Sequence, residues 1–182
     1  NIDFGALAKQ DFHSSLSGNG SNLKYMPMWA KESEEGIFAF QNLCGAVMFR
    51  FNDYQEMRDM KIVSVTISSK ENYIAGNAVL NPEDGTFAMT GEIDAQKEIS
   101  ISYETGLEVQ STKVTPSVGQ VGILGYIVAL PVGEYAPNDL TVTIKDSYGR
   151  TYSRTVTSKL VITPGVAREF PTLSFTFAYG EA

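Results

Sequence analysis

The residue types behind most enzyme chemistry are nearly missing from this chain of 182 residues, which has one His (His13), one Cys (Cys44) and one Trp (Trp29). A single cysteine excludes an intrachain disulfide, and one Cys with one His excludes a zinc site made from those two residue types alone. Positive charge is also scarce. Fourteen Lys and Arg stand against 21 Asp and Glu, a formal net charge of −7. That balance gives no global attraction to phosphate backbones, so nucleic acid is not an expected partner. There is no run of 18 apolar residues, so no membrane-spanning helix is expected. Amphipathic helical stripes are missing too. The nearest, residues 52–60 with Met57 and Met60, reads as a loop or a single turn.

What is present is two-residue alternation. Val63, Val65 and Ile67 alternate with Ser64, Thr66 and Ser68. Ile99, Ile101 and Tyr103 alternate with Ser100 and Ser102, and Leu140, Val142 and Ile144 with Thr141 and Thr143. Val47, Phe49 and Phe51 form another such set, as do Leu173, Phe175, Phe177 and Tyr179. A period of two places each set on one face of a half-buried sheet. Turn formers separate the sets. Asn81-Pro82-Glu83-Asp84-Gly85 predicts one hairpin between 78–80 and 86–89, and Asp146-Ser147-Tyr148-Gly149 a second between 140–144 and 151–156. Pro131-Val132-Gly133 closes another run, and Thr163-Pro164-Gly165 precedes the last strand. With 43% hydrophobic residues the chain can bury a sizeable core. The expected fold is all-β: an antiparallel two-sheet Greek-key β-sandwich of roughly seven to eight strands.

The first 36 residues differ. They are rich in Gly, Ser and Asn at 14–22 and end in Lys31-Glu32-Ser33-Glu34-Glu35. The opening residues lack Met, a basic run and an apolar stretch, so they do not read as a signal peptide, and the chain reads as processed or trimmed. The expected division is a leader over 1–36, docked on the sandwich or left from a preceding β domain, and a β-sandwich over 37–182. Trp29 is placed to staple the leader to the sandwich.

Few residues invite chemistry. His13, beside Ser14 and Ser15, lacks a converging nucleophile and an orienting acid, and reads as a solvated loop residue. Cys44, at the entrance to an apolar strand, reads as a packed core thiol. The acidic groups Glu32/Glu34/Glu35, Glu83/Asp84 and Glu92/Asp94 lie in junctions or turns, where solvated charge is the ordinary reading. Phe38, Phe40, Phe49, Phe51, Phe175 and Phe177 read as core, and Tyr54, Tyr103, Tyr148 and Tyr152 as caps at sandwich ends or as contacts for sugars or a partner. No catalytic residue, cofactor or metal site is expected, and the chain is not expected to be an enzyme.

Four stretches carry a resemblance. They are Phe40-Gln41-Asn42-Leu43-Cys44-Gly45-Ala46-Val47-Met48-Phe49; Ile62-Val63-Ser64-Val65-Thr66-Ile67-Ser68-Ser69 with Ile74-Ala75-Gly76; Tyr126 to Tyr135 through Pro131-Val132-Gly133, then 140–146 and Gly149; and Thr163-Pro164-Gly165 with the terminal alternating run. In this order, over about 37–177, the chain resembles the fimbrillin-like proteins of Bacteroidetes, subunits and minor components of type V pili. Lys9-Gln10-Asp11-Phe12 and Met26-Pro27-Met28-Trp29-Ala30 resemble the tail of that family's first domain. The resemblance implies a transthyretin-like sandwich and export as a lipoprotein to the outer membrane and cell surface, the membrane being reached through a lipid anchor outside this sequence. It also implies a cell-adhesion or pilus role, with assembly by insertion of a neighbour's strand.

The expected function is therefore a non-enzymatic fimbrial or adhesion subunit. Its partners are other fimbrial subunits or its own copies by strand exchange, with a host or bacterial surface receptor as a further partner. The candidate exchange segment is Leu173, Phe175, Phe177 and Tyr179, which has the period and apolar weight of a donor or closing strand. The alternative is a carbohydrate-binding β-sandwich module of a surface glycan-uptake system, using exposed Tyr and Trp.

Overall fold

The runs of alternating Val, Ile, Ser and Thr build the central sheet. The computed structural model describes residues 1–8, 26–50, 61–108 and 125–169. Within them the chain forms fourteen strands and two short 3-10 turns, at Gly5–Ala8 and Asp94–Lys97. In the four-stranded sheet, β5 (Lys61–Ser69) lies between β8 (Glu98–Glu108) and β11 (Leu140–Asp146), and β12 (Thr151–Thr155) forms the far edge. All its pairings are antiparallel. Val65, Ile67, Ile99, Ile101, Leu140, Val142 and Ile144 point into the core and are all nearly inaccessible. Burying each such side chain contributes about 2 kcal/mol.

The opposite face of this sheet is a lattice of hydroxyls. Register places Thr155, Thr141 and Ser68 in one row and Ser153, Thr143, Thr66 and Ser100 in the next. Cross-strand bonds link Thr143 to Ser153 at 2.9 Å, Thr66 to Ser100 at 3.1 Å and Thr141 to Thr155 at 3.1 Å. Small β-branched and hydroxyl side chains suit a sheet face that stays wet.

A second sheet closes the core. Here β4 (Cys44–Arg50) lies between β9 (Gly125–Pro131), to which it is antiparallel, and β14 (Ala167–Glu169), to which it is parallel. Leu43 just before β4, Cys44, Ala46 and Val47 on it, and Val128, Ala129 and Leu130 on β9 are all buried. Their side chains join those of the four-stranded sheet in one cluster, which makes the fold an all-β sandwich.

Smaller ribbons complete it. β6 (Asn77–Leu80) pairs with β7 (Phe87–Met89) through the expected Asn81–Gly85 turn, and β1 (Ile2–Asp3) adds to the free side of β6. β10 (Gly133–Tyr135) pairs with β13 (Leu160–Ile162), and β2 (Met28–Glu32) with β3 (Phe38–Asn42). The strands are more numerous and shorter than the seven to eight read from sequence. Tight corners such as 131–133 cut long runs into pieces, whereas β5, β8 and β11 run unbroken through bulges at 145/146 and between 62 and 64.

The beginning of the chain is part of this core. Phe4 and Leu7 are fully buried, and the Phe4 ring stacks on Phe87 with centroids 5.0 Å apart. The expected boundary between 36 and 37 falls in the loop joining β2 to β3.

Candidate interaction site

Two short apolar runs, Met28-Trp29-Ala30 and Ile37-Phe38-Ala39-Phe40, flank the charged stretch Lys31-Glu32-Ser33-Glu34-Glu35. Residues 33–37 form the turn, and the runs pair as β2 and β3, with Lys31 and Glu32 at the end of β2 opposite Ala39 and Phe38. The Ser33 N–H donates to the Ile37 carbonyl at 2.9 Å, and the Ile37 N–H to the Ser33 hydroxyl at 3.2 Å, which closes the turn.

A two-stranded ribbon has two faces, and this one meets the described core through Trp29 on one of them. By register Lys31, Ala39 and Gln41 share that inner face with Trp29, and all three are exposed. Trp29 is partly buried against the core, as the expected staple, with its indole against Gly85 in the β6–β7 turn. Gly85 has φ +75, and a Cβ there would lie 2.6 Å from the Trp29 ring, so the turn needs glycine both for its backbone and for the close approach. Lys31 Nζ lies 3.1 Å from Glu83 Oε2 and donates to the Glu83 carbonyl at 3.2 Å.

The outer face carries Met28, Ala30, Phe38 and Phe40, with Glu32 beside Phe38 and Asn42 beside Met28. Phe40 is 69% exposed, Phe38 55% and Met28 51%, with Ile37 at 60% just before them. Scattered exposed hydrophobes are ordinary, but a contiguous group of large ones marks an interaction surface. Among the described residues β2 and β3 pair only with each other, so each has an outer edge outside that pairing.

This corrects the reading of Phe38 and Phe40 as core. Alternation shows that one face of a strand is apolar, not that anything covers it. The sequence signal is the short spacing: two apolar runs on either side of a charged stretch pair as a hairpin, and a hairpin has two faces of which the core can take one.

The other residues singled out in the sequence fall as follows. Cys44 is fully buried, and burial pushes its thiol up to about 12. Glu32, Glu34 and Glu35 are exposed at the ribbon tip, and Glu92 and Asp94 are exposed beside the second 3-10 turn. Glu83 pairs with Lys31. Asp84 accepts from the Thr86 hydroxyl at 2.7 Å and its N–H at 2.9 Å, which holds its carboxyl below the usual range. Tyr148 is exposed and Tyr152 partly buried against the core. His13, Phe51 and Tyr54, and the candidate exchange segment Leu173, Phe175, Phe177 and Tyr179, lie outside the described residues, as do the side chains of Phe49 and Tyr103. The last described strand, β14, runs parallel beside β4 from Ala46 to Met48.

No family model and no curated protein matches the chain.

Proposed function

We propose that this chain is a non-enzymatic cell-surface subunit of the fimbrial or cell-adhesion kind, which joins neighbouring subunits by β-strand complementation. The observation that carries the reading is the β2–β3 ribbon, with Met28, Phe38 and Phe40 exposed on one face and, among the described residues, outer strand edges that pair with no other strand. Strand addition uses both features. Main-chain N–H and C=O groups at an edge supply affinity, and alternate apolar side chains supply register. The ordered resemblance of residues 37–177 to fimbrillin-like proteins supports the same reading. Residues 173–179, with four alternating large apolar side chains, are the segment proposed to be exchanged.

The test is assembly of the purified chain. Light scattering and negative-stain microscopy are expected to show oligomers or filaments that grow with concentration. Removing residues 171–182, or replacing Phe38 and Phe40 together by Ser, is expected to abolish them while the circular dichroism stays that of a β-sheet protein. A folded chain that remains monomeric at high concentration, and binds no synthetic peptide of residues 171–182, overturns the proposal.

A further inference from the structure

At the opposite end of the sequence from the ribbon, the turn joining β11 to β12 sets an exposed aromatic ring against a guanidinium. Asp146 is 1% exposed at the end of β11. Its carboxylate accepts from the N–H of Tyr148 at 3.0 Å and of Arg150 at 2.9 Å, and from Arg150 Nε at 2.6 Å. The backbone closes the same turn twice, from the Gly149 N–H to the Asp146 carbonyl and from the Asp146 N–H to the Arg150 carbonyl. Arg150 in turn lies near two rings, its guanidinium carbon 5.1 Å from the Tyr148 centroid and 5.8 Å from that of Tyr152. Tyr152 faces the core, whereas Tyr148 is 63% exposed.

The order of support is therefore carboxylate, guanidinium, ring. A buried carboxylate is costly to desolvate, yet here it braces a side chain that adds almost nothing to the core. An exposed Tyr on a hairpin tip ordinarily samples several rotamers and must lose that freedom on binding. Fixing the ring beforehand removes that cost, which is how a small platform gains useful affinity.

We infer that Tyr148 is a stacking platform for the pyranose ring of a neutral oligosaccharide. A pyranose is rigid, with one apolar C–H face and a rim of hydroxyls. A flat ring in a polar setting matches it, and the turn here is polar: Ser147, Gly149, Thr151 and Ser153, its neighbours along the chain, are exposed, as is Lys145 opposite Thr151. An aliphatic peptide would need an apolar groove beside the ring. A polyanion such as single-stranded DNA, or an acidic glycan, is disfavoured by a chain of net charge −7. The inference is independent of the assembly proposed above, because the platform and the ribbon share no residue.

The test is titration of the full chain with defined neutral oligosaccharides, the cello-, xylo- and manno- series, followed by nuclear magnetic resonance of the Tyr148 amide and ring. Saturable shifts centred on residues 146–152 are expected with at least one series. Tyr148→Ala, which removes an exposed side chain and leaves the turn bonds of Asp146 in place, is expected to weaken binding by about tenfold or more. Tyr148→Phe is expected to preserve it. The inference is overturned by a lack of saturable shifts with every neutral series, by unchanged binding in Tyr148→Ala, or by a response confined to uronate oligosaccharides or oligonucleotides.

Discussion

Ser69 Oγ lies 2.9 Å from each carboxylate oxygen of Asp139, across a separation of 70 residues. The carboxylate also accepts from the Glu71 N–H and the Asn72 side-chain amide, each at 2.8 Å, while the Asn72 N–H donates to the Ser69 hydroxyl. One nearly inaccessible acid thereby ties the end of β5 to the start of β11. Burial raises the Asp139 carboxyl, but the bonds from Glu71, Asn72, Ser69 and Lys70 outweigh it and hold the group below its usual value.

The sign of the pH dependence follows. A carboxyl depressed by folding contributes stability that is present above its unfolded value, about 3.9, and is lost as pH falls through the lower folded value. Urea unfolding of the parent and of Asp139→Asn, compared from pH 7 down to pH 2, is expected to show a gap that is constant near neutrality and narrows only below about pH 4. Asp139→Ala strands the Ser69 hydroxyl and two donors, and is expected to cost about 3 kcal/mol at pH 7. A gap that does not change with pH would remove the carboxylate from this role.

Phe38 and Phe40 are expected to respond in the opposite sense. Both are more than half exposed, so replacing either by Ser should change stability by no more than about 0.5 kcal/mol. Phe4→Ala, at a fully buried ring stacked on Phe87, should cost about 3–5 kcal/mol. Thermal melts of the three variants separate the two classes, and a large loss at Phe38 or Phe40 would mean that the ribbon face is covered in solution.

That contrast marks where the sequence is legible. Val65, Ile67, Ile99, Ile101, Val142 and Ile144 were readable as one inward face because their alternates are Ser and Thr, which name the wet side. The turns at 81–85 and 146–149 were readable from their Gly, Asp and Asn. Phe38 and Phe40 alternate with Ala39 and Gln41, so the pattern identifies an apolar face without saying what meets it. The parallel pairing of β14 with β4 and the Asp139 bonds join residues far apart in sequence, and local pattern carries no trace of them.

Cys44 is expected to behave as a buried hydrophobe. With its thiol fully buried and pushed up to about 12, almost no thiolate exists at pH 8 to attack a reagent. A maleimide should label the native chain far more slowly than the chain in denaturant, with the native rate set by opening of the fold. Labelling at equal rates in both states would place the thiol at the surface.

The glycine after Cys44 makes the strongest packing prediction. A Cβ on Gly45 would strike the Thr163 carbonyl oxygen and lie 2.7 Å from Ile162 Cγ2 and 3.0 Å from the Val166 carbonyl oxygen. Two of these obstacles are backbone, so no side chain can swing aside to make room. The same backbone is bonded on both sides of the glycine: the Gly165 N–H donates to the Cys44 carbonyl, and the Ala46 N–H to the Val166 carbonyl, each at 2.9 Å. Gly45→Ala must push the 162–166 turn away and strain both bonds, at an expected cost of about 3 kcal/mol. Urea melts should show that loss, and hydrogen exchange should speed up at the Ala46 and Gly165 amides while the Val65 and Val142 amides keep their relative protection. An unchanged midpoint with unchanged exchange would mean that β4 and this turn do not approach so closely. The expected result would explain why a glycine sits between Cys44 and Ala46, at the point where the turn before β14 crosses the backbone of β4.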